Sequence, residues 1–176
     1  ILFIGISLFA CQRNDSNSAP PPPNIILIMA DDLGYGDIGC YGNTHILTPH
    51  LDQMAKDGIR LTDYHSNGSI CSPTRAALMT GRYQQRAGVD GVISARNHRH
   101  TGMSLDEFTI AEALAEKGYA TGIFGKWHLG YSSAFGPIFQ GFQVFRGYVS
   151  GNIDFFSHID QAGYEDWWRD SSLVPE

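Results

Sequence analysis

The chain has 176 residues, of which 43% are hydrophobic and 17% charged, a composition typical of one globular domain and not of a disordered chain. The formal net charge is -6 and no run of Lys or Arg is present, which argues against a nucleic-acid-binding groove. The chain also carries seven histidines and twenty glycines, residue types that often gather at functional sites.

Residues 1–18 are predicted to be the remainder of an export signal. Residues 1–10 are apolar and uncharged but too few to span a bilayer, which takes about 20 residues. The segment Leu8-Phe9-Ala10-Cys11 resembles a bacterial lipobox with Cys11 as the lipidated residue; ordinary secretion and a chance apolar start are the alternatives. Residues 19–23 end in four prolines and predict a stiff linker. We therefore expect an exported protein, periplasmic or an outer-membrane lipoprotein of a bacterium, whose membrane contact is through this anchor.

The first elements of the domain, taken as residues 24–176, follow the linker. Residues 24–30 (NIILIMA) are a short apolar run, which favours a buried parallel strand. Thr48 and Pro49 predict the start of a helix that ends at Gly58. The residues predicted to face inward from this helix are Leu51, Met54 and Ala55. Residues 59–64 alternate between apolar and polar side chains and predict the next strand.

The middle of the chain predicts two further helices and a strand. The segment 71–75 (CSPTR) precedes good helix formers, so we expect a loop that turns into a helix ending at Gly81. Thr109 and Glu112 fit a capping box, and residues 119–124 predict a short strand. The predicted inward residues of the second of these helices are Ile110, Ala113 and Leu114. Strands that alternate with helices indicate an α/β fold with sites at the strand ends.

Asp31 and Asp32 form an adjacent acidic pair directly after the first predicted strand. Two carboxylates this close repel each other unless a cation lies between them. Oxygen ligands suit calcium or magnesium better than zinc. Aspartates that serve a turn or a helix cap are the alternative. Cys40 and Cys71 could form a disulfide or be two unrelated thiols, and the sequence leaves both open.

Cys71 and Arg75 lie where a loop enters a helix. The free amides and partial positive charge of a helix start favour an anion, and Arg75, about one turn further on, can reach back with a bidentate guanidinium. The same setting would activate a thiol nucleophile; a buried, inert cysteine is the third possibility.

Lys126 and His128 follow the strand predicted over residues 119–124. In extended chain, side chains two residues apart point the same way, so these two side chains could flank one anion. A surface lysine and a packed histidine are the alternative. The loop segment 97–100 (NHRH) could bind a metal, although a solvated loop or a rim for an anionic substrate is favoured.

Taken together, these motifs resemble those of the sulfatase family, a branch of the alkaline-phosphatase-like superfamily. The matching stretches are PNIILIMADDLGYGDIGCYGN, TPHLDQMAKDGIRLTDYHSNGSICSPTRAALMTGR and TIAEALAEKGYATGIFGKWHLG. GFQVFRGYVSGNIDFFSH is similar to the arylsulfatase B-like branch. The resemblance implies an α/β/α sandwich with a mostly parallel central sheet, incomplete in this chain.

The resemblance also implies a role for each site residue. Cys71 would be oxidised to formylglycine by a formylglycine-generating or an anaerobic sulfatase-maturating enzyme, and its hydrate would be both nucleophile and metal ligand. Asp31 and Asp32 would bind the calcium ion. Arg75 would stabilise the hydrate, Lys126 would bind sulfate oxygens, and His128 would hydrogen-bond the hydrate. The expected substrate is a sulfated carbohydrate or an aryl sulfate.

Some positions depart from the family pattern. Thr74 stands where Ser or Ala is more usual, which bears on how efficiently Cys71 is converted. His50 and Gln143 stand where Asn and Asp are common. Family members are far longer, with further calcium ligands downstream, so we expect residues 24–176 alone to be inactive and poorly folded. Two rival functions are a phosphonate or phosphate ester hydrolase of the same superfamily and a lipoprotein that binds sulfated glycans without turnover.

Overall fold

The computed structural model describes residues 20–174 of the chain, so the predicted export signal and Cys11 lie outside the described residues. The chain divides into two compact units, Ile1–Leu61 and Thr62–Glu176. The described α-helices are α1 Pro49–Asp57, α2 Cys71–Thr80 and α3 Ile110–Ala115. The described strands are β1 Gly122–Lys126, β2 Val144–Tyr148, β3 Trp168–Arg169 and β4 Ser172–Leu173. Within residues 20–174, each helix is too short or too polar to cross a membrane.

Helix α1 begins and ends where the sequence predicts. Pro49 is its first residue and Gly58 follows its last turn. Thr48 precedes the helix but does not cap it with its side chain. Its hydroxyl accepts a hydrogen bond from the Gly39 amide at 2.8 Å and donates one to the Asp52 carboxylate at 3.0 Å. The threonine therefore ties α1 to the turn before it.

Two strands predicted early in the chain do not form. Residues 24–30 and 59–64 have no strand assignment and are exposed along their length. An apolar run becomes a buried strand only when neighbouring strands take up its backbone groups and other elements cover its side chains. The described first unit supplies neither. For the same reason the predicted inward face of α1 is not covered, with Leu51 44% and Met54 63% exposed.

Helix α2 starts earlier than the sequence predicts, because Cys71 is already its first residue and Ile70 is its N-cap. Pro73 is compatible with this start because the first amides of a helix have no partner within the helix. Gly81 ends the helix in the left-handed conformation, with φ 64°. The residues that α2 buries are Ser72, Pro73, Ala76, Ala77 and Met79.

Helix α3 confirms the capping box. The Thr109 hydroxyl accepts from the Glu112 amide at 3.2 Å, and the Glu112 carboxylate accepts from the Thr109 amide at 2.7 Å. The buried face differs from the prediction, because Ile110 is 41% exposed and Ala111 is 1% exposed. The helix start lies directly against the backbone at Gly141, where a Cβ would be 2.6 Å from the Glu112 amide nitrogen. Such a close approach leaves room only for glycine at position 141.

The sheet has the strand order β1-β2-β3-β4. Strands β1 and β2 are parallel, whereas β3 pairs antiparallel with β2 and β4 pairs antiparallel with β3. The sheet of the described residues is therefore mixed. Its one parallel pair contains the candidate site residue Lys126, at the end of β1. β1 begins at Gly122, three residues later than predicted, and continues to Lys126. Lys126 at the end of β1 is the register partner of Tyr148 in β2. The α/β class of the prediction is confirmed.

The hydrophobic core of the second unit includes the residues that directly follow β1. Trp127 and Leu129, which follow that strand, are 1% and 0% exposed. The Trp127 indole donates to the Phe135 carbonyl at 2.9 Å, so its one polar atom is satisfied. Other members of the core cluster are Ala76, Met79, Ala87, Val89, Ile93, Ala95, Met103, Tyr131, Phe145 and Val149. Helix α2 and the strand end are thus held against one common body.

Candidate active site

The half-buried Cys71 is the first residue of α2. No side chain caps this helix start, and Pro73 has no amide hydrogen. The position therefore combines a nucleophilic atom with the positive end of a helix dipole, as the sequence predicts. Cys40 and Cys71 are both free thiols, so the disulfide considered from the sequence is not formed.

Lys126 lies directly against this cysteine. Its Nζ donates to Cys71 Sγ at 3.3 Å, and the lysine is half-buried at the end of β1. The contact joins two residues that are 55 positions apart in the chain. An ammonium group in this place puts positive charge beside the Cys71 sulfur.

Arg75 joins the same group by a route that the sequence did not indicate. Its Nη1 donates to the Lys126 carbonyl at 2.7 Å. This bond ties the second turn of α2 to the end of β1, so the guanidinium holds the lysine backbone in place while it contributes charge. The structure therefore brings Cys71, Arg75 and Lys126 together.

His128 is held in a conformation that the sequence did not predict. Its φ of 59° lies in the left-handed region, which is uncommon for residues other than glycine, so the extended-chain argument for Lys126 and His128 is wrong. The imidazole is buried, and its Nε2 lies 3.0 Å from the Ile93 carbonyl oxygen. The Ile93 amide in turn donates to Ser72 Oγ at 3.1 Å. His128 is thus connected through one residue's backbone to the neighbour of Cys71.

Several residues around His128 escaped the sequence argument. Ile93 acts through main-chain atoms, which leave no signal in the identity of the side chain. Ser72 lies inside the cysteine motif, and its position could have drawn attention to it. Gly151 packs so closely that a Cβ built on it would lie 2.7 Å from the His128 Cε1. In the sequence, this contact is signalled only by the presence of a glycine in the segment 147–152 (GYVSGN).

Asp31 and Asp32 belong to the first unit, where both are exposed. Two neighbouring carboxylates offer the hard oxygen donors that calcium prefers. Two other carboxylates of this unit accept backbone hydrogen bonds, Asp37 from the Gly34 amide at 2.8 Å and Asp52 from the Cys40 amide at 2.6 Å. Across residues 20–174, no three His, Cys, Asp or Glu side chains converge on one point. The predicted calcium ligands stay a prediction.

The histidine-rich loop segment 97–100 has a structural role. The His98 Nδ1 accepts from the Ser94 amide at 3.0 Å. The Arg99 guanidinium donates to the buried Asp160 carboxylate at 2.8 Å and stacks 3.6 Å from the centre of the Tyr164 ring. Burial alone would raise the pKa of Asp160, but the hydrogen bonds from Arg99 and from backbone amides outweigh burial and hold that pKa below its ordinary value.

Asp166 is a second buried carboxylate of this unit, 2% exposed. It accepts from the Val149 and Ser150 amides at 3.0 and 2.8 Å and from the Trp168 indole at 2.6 Å. Burial raises the pKa of Asp166 above its ordinary value, although these N–H donors oppose the shift. The carboxylate fixes the chain just after β2, next to the loop that contacts His128.

The geometry brings a thiol, a lysine and an arginine together at the end of a strand in an α/β protein, and comparison with known proteins specifies the class of protein. The chain matches the Sulfatase family over residues 23–171. It is 52% identical to human arylsulfatase A over 128 residues, which is 72% of this chain and 25% of that protein. It is 41% identical to mouse steryl-sulfatase over 156 residues, or 83% of this chain and 25% of that protein.

Solved structures give the same result. The crystal structure of Ps i-CgsB in complex with k-i-k-neocarrahexaose has a TM-score of 0.79 and 34% identity over 88% of this chain and 37% of that one. The chain belongs to the sulfatase family, and its fold is the alkaline-phosphatase-like α/β fold of these structural relatives. It spans about a quarter of the length of the curated relatives it matches. The finer assignment to the arylsulfatase B-like branch stays a prediction.

Proposed function

We propose that the protein hydrolyses sulfate esters with a nucleophile made from Cys71. The observation that carries the proposal is the 3.3 Å contact between Lys126 Nζ and Cys71 Sγ at the start of α2. A sulfate ester is an anion, and more negative charge develops on its oxygens as the ester bond breaks. Preorganised positive groups at that point stabilise the transition state more than the substrate.

Formylglycine explains why a cysteine stands here. Its hydrate supplies two hydroxyls on one carbon, one to attack sulfur and expel the alcohol, and one whose deprotonation re-forms the aldehyde and expels sulfate. In this proposal Lys126 binds the sulfate oxygens, and Arg75 stabilises the hydrate. His128 hydrogen-bonds the hydrate and takes a proton from it.

We further propose calcium as the bound cation, held by Asp31, Asp32 and the hydrate oxygen of residue 71. The support is the chemistry of the donors, since adjacent carboxylates suit a hard divalent cation. When bound, calcium would add positive charge for the sulfate oxygens.

A sulfated carbohydrate is the substrate class that we favour, with aryl sulfates as simple surrogates. The support is the structural relative of 34% identity that is described in complex with a neocarrahexaose. Export fits this substrate, because polymeric glycans lie outside the cell. We therefore also propose that the protein is periplasmic or an outer-membrane lipoprotein anchored through Cys11, and that a formylglycine-generating or an anaerobic sulfatase-maturating enzyme is its partner during maturation.

The decisive experiment is peptide mass spectrometry on the full-length protein expressed with its maturation enzyme. The peptide that contains Cys71 should be about 18 Da lighter than its cysteine form, as expected for a thiol changed into an aldehyde nucleophile. The peptide that contains Cys40, from the same digest, is the matched control and should keep its thiol mass. An unmodified Cys71 in active protein would refute the formylglycine proposal.

Activity assays then separate the rival functions. Parallel assays with an aryl sulfate and an aryl phosphonate should show clear preference for the sulfate. Preference for the phosphonate would identify a related ester hydrolase. Binding of sulfated glycans without turnover by the fully converted protein would identify a carbohydrate-binding lipoprotein instead.

A further inference from the structure

The imidazole of His128 is enclosed by residues to which neither the family resemblance nor the proposed mechanism gives a role. We propose that Gly151 and Tyr131 are positioning residues that hold the His128 ring in the orientation the sulfatase reaction requires. The inference rests on the proposed function, because it assigns the task of these residues through His128. It concerns the second unit alone, where all three residues lie.

Gly151 contributes by having no side chain. A Cβ at this position would lie 2.7 Å from His128 Cε1 and 2.9 Å from Nε2, closer than non-bonded carbon atoms approach. The φ of Gly151 lies outside the left-handed region, so its backbone conformation is open to any residue. Glycine is therefore required here for the contact with the imidazole and not for the backbone.

Tyr131 bounds the imidazole on another side. Its ring stands edge-on to that of His128, with centroids 6.3 Å apart and an interplanar angle of 87°. The Tyr131 hydroxyl accepts from the Gly151 amide at 3.3 Å. One side chain thus contacts the histidine ring and also fixes the glycine that touches it.

The Tyr131 ring is contacted by Arg99, which forms an ion pair with Asp160. The Arg99 guanidinium lies 5.7 Å from the centre of the Tyr131 ring and is paired with Asp160, whose side chain is fully buried. Burial raises the pKa of the Tyr131 phenol above its ordinary value, which keeps the hydroxyl neutral at working pH. The contacts thus form a series. The guanidinium of the Arg99–Asp160 ion pair lies against Tyr131, and Tyr131 contacts both Gly151 and His128.

The His128 ring is held at its Nε2 atom as well as by Gly151 and Tyr131. Its Nε2 meets the Ile93 carbonyl at 3.0 Å, so a ring pushed by a methyl group at position 151 cannot move without breaking this contact. Displacement of a catalytic group by about 1 Å can lower the rate about a hundredfold. The loss should therefore appear in kcat and not in substrate binding.

The test compares Gly151→Ala with Gly91→Ala in the full-length, converted protein. Gly91 has no neighbour within 4 Å of its would-be Cβ and no left-handed φ, so it is a matched glycine outside the contact. We expect Gly151→Ala to lower kcat by at least about tenfold with KM changed less than about twofold, and Gly91→Ala to leave both unchanged. Tyr131→Phe should lower kcat by a smaller factor.

Two further measurements separate positioning from a general structural effect. The imidazole nitrogen resonances of His128 should shift in Gly151→Ala and stay in place in Gly91→Ala. In a His128→Ala background, Gly151→Ala should have no additional effect on kcat, because the residue through which it acts is gone.

Three outcomes would overturn the inference. They are wild-type kcat in Gly151→Ala, unmoved His128 resonances, and a full additional loss in the His128→Ala background. If the unsubstituted protein turns over no sulfate ester, the proposed function fails. The nitrogen resonances alone then decide whether Gly151 and Tyr131 fix the imidazole.

Discussion

Helices α1 and α2 make an instructive pair from the two units of the chain. Both begin with a recognisable motif and end at a glycine, Gly58 and Gly81. Helix α2 buries five residues, whereas α1 buries none. The difference extends to the units themselves, because the buried hydrophobic core cluster of the described residues lies in the second unit. Local sequence therefore indicates the glycine at which each of these helices ends, while burial depends on partners elsewhere in the chain.

The predicted site is divided in the same way. Cys71, Arg75 and Lys126 lie in the second unit and are joined by direct contacts. Asp31 and Asp32 lie in the first unit and are exposed. The positions of Cys71, Arg75 and Lys126 are set by a packed core. Asp31 and Asp32 have the carboxylate oxygens that suit calcium, but in the part of the chain described no such core surrounds them. Mutations in both units can test whether the two groups act in one reaction.

The largest expected effect is on catalysis. Lys126→Ala should lower kcat of the converted full-length protein by a factor of about 10² to 10³, the usual cost of removing one charge-stabilising donor. Asp31→Asn should raise the calcium concentration needed for half-maximal activity by at least about tenfold, because a neutral amide is a weaker calcium ligand. Steady-state assays across a calcium titration after chelation measure both.

Matched surface residues serve as controls for this pair of variants. Lys117→Ala and Asp57→Asn each change an exposed residue of the same type and should leave activity and calcium response unaltered. If Asp31→Asn behaves like Asp57→Asn, the acidic pair of the first unit takes no part in the reaction and the calcium proposal is wrong.

The next effect is on stability, and a matched pair of methionines measures it. Met79 in α2 is 8% exposed and Met54 in α1 is 63% exposed. Met79→Ala should lower the free energy of unfolding by about 2–4 kcal/mol, through lost burial and the cavity left behind. Met54→Ala should change it by no more than about 0.5 kcal/mol. Denaturant unfolding of the purified protein gives both values, and equal losses would show that α1 is covered as well as α2.

The smallest effect is a pH dependence of opposite sign at two buried aspartates. The depressed pKa of Asp160 gives stability that is present above its ordinary value of 3.8 and is lost as the pH falls through the folded-state pKa. The raised pKa of Asp166 has the reverse effect, so stability falls as the pH rises from 3.8 through its folded-state pKa. Asp160→Asn should therefore cost about 1–3 kcal/mol near neutral pH and less in acid.

Asp166→Asn should instead lose more, relative to wild type, in acid than near neutral pH. Asp57→Asn, in the first unit, should stay within about 0.5 kcal/mol of wild type throughout. Urea unfolding of the three variants at several pH values provides the comparison. Parallel curves for Asp160→Asn and Asp166→Asn would contradict the opposite signs of the two pKa shifts.

The features that the sequence predicted correctly depend on residues within about one turn of each other. The Thr109 and Glu112 capping box is complete within four positions, and Pro49 needs only the helix that follows it. The α/β class follows from the order of such local elements. Cys71 and Lys126 are candidate site residues from the sequence because each stands in a motif at the end of an element, where α/β proteins place their sites, and the structure places the two side chains in contact.

The features that the sequence did not reveal depend on contacts over long separations. The apolar segment 24–30 has the side chains of a buried strand, but its burial requires strands that the described residues do not supply. His128 combines a left-handed backbone with contacts to Gly151 and Ile93, which are distant in the sequence, and local propensity argues against this conformation. Arg75 binds a backbone carbonyl 51 residues away, which no motif encodes.

The Ile93 bridge bears on how this enzyme family can diversify. Its amide and carbonyl serve Ser72 and His128, and a peptide group is the same in every residue except proline. The exposed side chains on either side of Ile93, such as Val92 and Arg96, are therefore free to vary without disturbing the histidine, whereas the Ile93 side chain belongs to the buried core. A saturation library at position 93 should tolerate many apolar side chains and reject proline, whereas a library at position 151 should retain glycine alone.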